Sequence, residues 1–176
     1  MNLANRYGAS ASGGDDCKSS LPKGLLRAAS SNSRPDARLF FIVGSVGDPL
    51  ALRNVTFQTG AKNWGVKDGK LSNTTRSAVV DYQLAFTIVG RGTWKVNIVP
   101  GPVINSTLPI KPSEQRGLVP VPMREYVGQS DFSAVGVYVR HAKFSDGSVW
   151  DADLAHIKAE VEGAASDIQG TDKSTS

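Results

Sequence analysis

The residues able to do chemistry are few and scattered. His141 and His156 are the chain's two histidines, and they fall on different predicted elements. A zinc or hydrolytic centre needs ligands at defined spacing, and no HxxxH, HExxH or CxxC pattern occurs. His141 follows Arg140 at a change in the apolar alternation, where a β-bulge would turn it outward. His156 lies beside the apolar face of a predicted C-terminal helix. Gly44-Ser45-Val46-Gly47 is not GxSxG, since the first glycine adjoins the serine and no strand-to-helix elbow follows. Gly90-Arg91-Gly92 lacks a third glycine and a following helix, so it reads as a loop between strands rather than a phosphate cradle. Asp151 and Asp153 could serve as an acid/base pair, but they stand where a helix begins and suit its cap and dipole. The expectation is a protein that is not an enzyme, with no catalytic residues, cofactor or metal; an enzyme with an unrecognised site is an alternative.

Trp64, Trp94 and Trp150 are the remaining candidates for ligand or partner contact. Each sits at the start or end of a predicted strand, where an indole either seals the end of a sandwich or stacks on a sugar. A carbohydrate-binding module with a tryptophan platform is therefore the second alternative. Each tryptophan also continues an apolar alternation, which favours packing. The sequons at Asn54, Asn73 and Asn105 matter only in a eukaryotic secretory protein. Cys17, the single cysteine, has no internal disulfide partner and reads as a free thiol.

A chain of 176 residues is long enough to bury one core without metals or disulfides. No run approaches the length of a membrane span. The net charge of +4 is uneven: residues 1–35 carry five basic and two acidic residues, 36–150 thirteen and eight, and 151–176 two and six. The ends therefore oppose each other in sign. The basic excess forms no sequence cluster, so a nucleic-acid partner is not expected. The first twenty residues have no apolar h-region, which leaves an intracellular protein or a processed one. Extracytoplasmic or secreted placement is the working expectation, with an unknown protein or cell-surface partner.

The elements that must position these residues are mostly strands. Val80, Tyr82, Leu84, Phe86 and Ile88 alternate with Asp81, Gln83, Ala85 and Thr87, which predicts a strand with one face on a core and one toward water. Asn73 to Ser77 is turn-forming, so the run from Trp64 to Leu71 is expected to fold back onto that strand as a hairpin. Within that run, Asp68-Gly69 is read as a bulge. Leu39 to Val43 is apolar on both faces, as in a strand covered on each side. Pro120 and Pro122, two apart, place their segment at a sheet edge. Val135, Val137 and Val139 lead into Phe144-Ser145-Asp146-Gly147-Ser148-Val149, read as a two-residue type I′ hairpin with Phe144 and Val149 opposed. Leu154, Ile157 and Val161 then follow helical spacing and are expected to lie against the sandwich.

The turn at Asn73-Thr74-Thr75, the alternating strand after it and the segment Leu108-Pro109-Ile110-Lys111-Pro112-Ser113-Glu114 together resemble small bacterial immunoglobulin-like domains of the FxLYD kind. Lys143 to Trp150 is similar to the closing hairpin of uncharacterised secreted bacterial proteins. The resemblance covers roughly residues 64–150 and departs at Pro112-Ser113, where a glycine would be usual. It implies a fold and carries no catalytic residues. The expected architecture is an all-β, immunoglobulin-like antiparallel β-sandwich over 37–150, with a disordered arm over 1–36, a short C-terminal α-helix over 151–169 and a disordered tail over 170–176. Within the arm, Leu21 to Ala29 has weak helical spacing. The expected function is a non-enzymatic extracytoplasmic binding or assembly module.

Overall fold

The computed structural model describes residues 25–28, 39–44, 47–60, 63–128 and 131–172. The strands are β1 (Leu25–Ala28), β2 (Leu39–Val43), β3 (Leu50–Thr59), β4 (Trp64–Asn73), β5 (Val79–Gly90), β6 (Val96–Ile110), β7 (Gln115–Gly117), β8 (Phe132–Phe144) and β9 (Val149–Asp151). Two helices complete the described chain, α1 (Met123–Val127) and α2 (Leu154–Asp172). The first sheet runs β1-β2-β8-β5-β6, with β9 also on β8, and the second runs β3-β4-β7. The fold is all-β and sandwich-like with a C-terminal helix. β2 pairs parallel to β8, whereas the other strand pairings among the described residues are antiparallel.

Two cores lie on opposite faces of the first sheet. Leu84, Phe86, Ile88, Val135, Val137 and Val139 meet Leu50, Leu52, Val55, Val66 and Leu71 of the second sheet. On the reverse face Ala85, Val89, Ala134 and Tyr138 form a second cluster with Ile157, Val161 and Ala165 of α2. The molecule therefore has three layers. β2 shows why its sequence is apolar throughout: Phe40 and Ile42 enter the first core, and Phe41 and Val43 the second.

The central strand departs from its expected exposure. Asp81 and Gln83 are half-exposed, but Ala85 and Thr87 are fully buried, because α2 covers that end of β5. Small residues make this possible. Gly136 lies opposite Thr87, and a Cβ there would run into the Phe41 ring and the Thr87 hydroxyl. Alanines at 85 and 134 keep the trough shallow, and Ala164 and Ala165 let the helix settle into it. Ile157 and Val161 are each 1 % exposed, worth roughly 1.5–3 kcal/mol apiece in buried apolar surface. Leu154 is half-buried at the rim. Asp153 caps the helix, its Oδ1 accepting from the Ala155 and His156 amides at 3.0 and 3.1 Å. The helix runs through Gly170 to Asp172, beyond the expected end at 169.

Two turns also differ from expectation. β4 and β5 belong to different sheets, so Asn73 to Ser77 is a corner and not a hairpin. Asn73, 1 % exposed, holds that corner. Its Nδ2 donates to the Ser77 and Ile110 carbonyls, and its Oδ1 accepts from the Thr75 amide and hydroxyl. The bulge read at Asp68-Gly69 is present as two adjacent shifts: Asn54 and Val55 of β3 stand against Gly69 alone, Lys67 is an extra residue of β4 beside Asp68, and Asn54 takes φ 49°. Of the N-terminal arm, residues 25–28 form β1 rather than a helical turn; the rest of the arm, Cys17 included, and residues 173–176 lie outside the described residues.

The closing hairpin has a three-residue loop. The Gly147 amide donates to the Phe144 carbonyl, the Phe144 amide donates to the Ser148 carbonyl, and Gly147 takes φ 85°. That is a type I turn closed by a left-handed glycine, so Asp146 keeps negative φ and Lys143, not Phe144, stands opposite Val149. The Asp146 carboxylate accepts from the Ser148 hydroxyl and amide, which holds its pKa below the usual range. Open space surrounds Gly147, so backbone conformation alone forbids a branched side chain. Gly147→Val is expected to cost about 1–3 kcal/mol, with Gly147→Asn much milder; equal thermal melting of the two variants would refute the turn assignment.

Burial pushes the phenols of Tyr82 and Tyr138 up to about 12, with Arg116 and Arg140 respectively acting in the opposite direction. A raised tyrosine pKa means the neutral form is favoured by folding. That contribution is whole below the unfolded value near 10 and is lost as pH rises through about 12. Alkaline titration followed by near-ultraviolet absorbance should show these two phenols ionising together with loss of secondary structure. Their ionisation near pH 10 in a folded protein would contradict the packing.

Candidate functional site

A concave surface lies beside β4, where the chain returns after β7. Leu118 donates its amide to the Gly69 carbonyl at 2.8 Å, and Val66 and Val121 exchange amide-to-carbonyl bonds of 2.9 Å each. Val121 is thus bonded inward while its neighbours Pro120 and Pro122 have no N–H to offer outward. This is the proline-blunted edge that their spacing predicts. α1 follows at once, with Met123 and Val127 buried in the core between the sheets. Its Tyr126 ring lies 5.7 Å from Phe86. Gly128, with φ 74°, ends the helix.

Between this return and the start of β4 is a cleft of about 540 Å³, lined by Gln58, Asn63, Trp64, Gly65, Val66, Pro120, Val121, Pro122, Arg124 and Glu125. The lining offers amide groups, one charge of each sign and apolar walls. It can hold a ligand by hydrogen bonds and apolar contact; among its described lining residues no nucleophile stands beside a base. Gly65 makes the close approach feasible, because a Cβ there would strike the Val121 carbonyl and come within 2.7 Å of the Met123 nitrogen.

The three tryptophans are not brought together. Trp64 is 4 % exposed, its ring centroid 5.9 Å from that of Phe40 and 5.0 Å from that of Phe132. Trp150 packs half-buried on the same core opposite Ala142, ten residues along β8 from Phe132 and so roughly 33 Å away. Trp94 packs half-buried against the helix-side core and takes φ 55° in the β5–β6 turn. That left-handed backbone costs a non-glycine residue on the order of 1–2 kcal/mol.

His141 sits where its sequence context places it. Between Val139 and His141 the pairing with β5 shifts by one, so Arg140 is the extra residue of a bulge and His141 turns outward, half-exposed. Its Nδ1 lies 2.8 Å from Asp151 Oδ1 across the β8–β9 pair. Asp151 therefore binds β9 to β8, while Asp153 alone caps α2. His156 instead pairs along its helix with Glu160 at 3.2 Å. Among the described residues no group of three or more His, Cys, Asp or Glu is placed to hold a metal. In the Gly90-Arg91-Gly92 loop, Arg91 is bonded to Asp131 at 2.8 Å. Ser45 lies outside the described residues. Of the sequons, Asn73 is buried with its amide fully bonded, whereas Asn54 and Asn105 are exposed.

Sequence reasoning missed α1 and the cleft it helps to form. The available signal was the pair Met123 and Val127, apolar residues four apart directly after Pro122. It also missed Arg116, which reaches from β7 to the Ser106 hydroxyl and the Leu108 and Pro109 carbonyls of β6 while pairing with Glu114 at 2.7 Å. The Lys111 amide and Arg116 hold the Glu114 pKa below the usual range.

No family model matches the chain, and no curated protein matches it. A solved structure of a hypothetical protein from Peptoclostridium difficile 630 aligns with 64 % of this chain and 90 % of its own length, at 10 % identity and a TM-score of 0.38. At that similarity it carries no argument about fold or function.

Gly65→Ala is expected to force the Pro120–Pro122 return away from β4, at a cost of about 1–3 kcal/mol. Hydrogen exchange should show faster exchange at the Val66 and Val121 amides than in the parent. Unchanged protection there would mean the close approach is not what the glycine serves.

Proposed function

We propose that the protein is a non-enzymatic extracytoplasmic binding or assembly module, immunoglobulin-like in its sandwich, and that the cleft between β4 and α1 takes a protein partner. The observation that supports this reading is the cleft's construction. Its wall is an edge closed to further strand pairing by Pro120 and Pro122, so recognition there falls to side chains: Gln58, Asn63, Arg124 and Glu125 around an apolar floor. A volume of about 540 Å³ suits a few inserted side chains of a partner better than a whole extended strand. The carbohydrate reading has less support, because the Trp64 ring is covered and the other two tryptophans stand elsewhere.

The test is site-resolved crosslinking in the native host. A photoreactive residue at Gln58 or Glu125 should give a discrete partner adduct, and one at Val149, an exposed position on β9, should not. Recovery of free monomer from every position would end this reading, as would equal yields from Val149.

A further inference from the structure

Part of the cleft lining belongs to the outer face of the second sheet. Gln58 of β3 and Gly65 of β4 stand opposite each other; Gln58 follows Phe57, and Gly65 lies between Trp64 and Val66, all three turned to the core. Five residues further along the two strands, at most about 17 Å away, Arg53 and Lys70 stand opposite each other on that same outer face, beside the core leucines Leu52 and Leu71. Like charges in that relation oppose strand pairing. Gly117 of β7 continues the row and puts no side chain beside Lys70. Lys67 is exposed on β4 between the cleft and Lys70. Asp68 is the single carboxylate of β3 and β4; it stands opposite Thr56 and accepts from the Gly69 amide at 2.7 Å. Among the described residues no ion pair engages Arg53, Lys67 or Lys70.

We propose that the partner segment entering the cleft is acidic and runs on over the outer face of β3 and β4, its carboxylates meeting Lys67, Lys70 and Arg53. This rests on the cleft being the partner site and adds the chemistry of what that site takes. Charge complementarity selects the occupant. Three cations with a single carboxylate between them gain from a further carboxylate brought to them, and the opposed Arg53 and Lys70 cease to repel once one lies across both. The planar fork of a guanidinium takes a carboxylate by two parallel hydrogen bonds. An extended chain rises about 3.3 Å per residue, so about five residues of the partner reach from Gln58 to Arg53. A single-stranded nucleic acid fits less well, because its bases stack on aromatic platforms and the two aromatic residues of these strands, Phe57 and Trp64, both face the core. Exposed charges are screened within about 8–10 Å at physiological ionic strength, so this part of the contact is salt-sensitive.

Fluorescence anisotropy of labelled decaglutamate with the full chain tests the chemistry. Binding is expected at low ionic strength and its loss at high salt. Arg53→Glu should weaken it about five- to tenfold and should melt no lower than wild type, since it sets a carboxylate against Lys70. Lys95→Glu, the same change of charge at an exposed position in the β5–β6 turn, should leave binding nearly unchanged. Absence of binding, equal loss in the two variants, or equal binding of a labelled thymidine decamer overturns the proposal. Photocrosslinking from Gln58 in the native host separates it from the cleft reading, because the adduct formed by wild type should fall in Arg53→Glu. An undiminished adduct leaves the cleft as the partner site and overturns the acidic segment. No adduct from Gln58 in wild type ends the cleft reading and the acidic segment with it.

Discussion

Everything in this structure follows from the double burial of β5. From Leu84 to Val89 no side chain on either face reaches solvent, and the backbone is paired on both sides, to β6 and to β8. A strand in that position must have both faces covered by apolar layers, because neither face can be left to water without exposing a contiguous apolar surface. The second sheet covers one face and α2 the other. The C-terminal helix is therefore part of the core, and its short apolar stripe is matched to a trough of alanine and glycine. The match leaves a cost: the Thr87 and Tyr138 hydroxyls are buried there without a partner.

Joining two sheets requires the chain to leave one and enter the other, and at two of these passages a polar residue replaces the lost ladder. Asn73 is buried between β4 and β5 and takes part in four side-chain hydrogen bonds, while the Asn73 and Ser113 amides tie the same corner to the Lys111–Glu114 turn. Ser113 accepts φ 61° in that turn. Arg116 does the equivalent work at the open side of the sandwich, tying β7 of one sheet to β6 of the other. A guanidinium suits the position because its planar fork reaches several carbonyls at once.

What the sequence made legible was local. The unbroken run at Phe40 to Val43 states that both faces of its strand are covered, and the structure agrees; alternation at Val135, Val137 and Val139 marks the face turned to the second sheet but not that Ala134 and Tyr138 on the reverse face are covered as well. Pro120 and Pro122 state that an edge is present, since the missing donors are a property of the residues themselves. Partner identity is another matter. Asn73 to Ser77 has the same turn-forming side chains whether it closes a hairpin or rounds a corner, and only long-range bonds to Ile110 and Glu114 decide. Ala85 and Thr87 suit a solvent-facing strand as well as one beneath a helix. The cleft was illegible for the same reason, since its walls come from Gln58, Trp64 and Glu125, which are distant in sequence.

The placement of surface chemistry follows from this architecture. Two of the sheet edges are poor sites for recruiting another strand. β6 carries Pro100, Pro102 and Pro109, and the return beside β4 carries Pro120 and Pro122, so the backbone donors that strand addition requires are missing at intervals. Along these two edges recognition is left to faces and concavities, where side chains act. The faces are not equivalent: bulging at Asn54 and Val55 twists β3 while leaving Arg53 and Lys70 opposed, and the acidic residues are concentrated after Asp151. A chain that spreads its basic residues thinly in sequence thus brings two of them, Arg53 and Lys70, side by side by cross-strand pairing, which a scan for charge runs does not find.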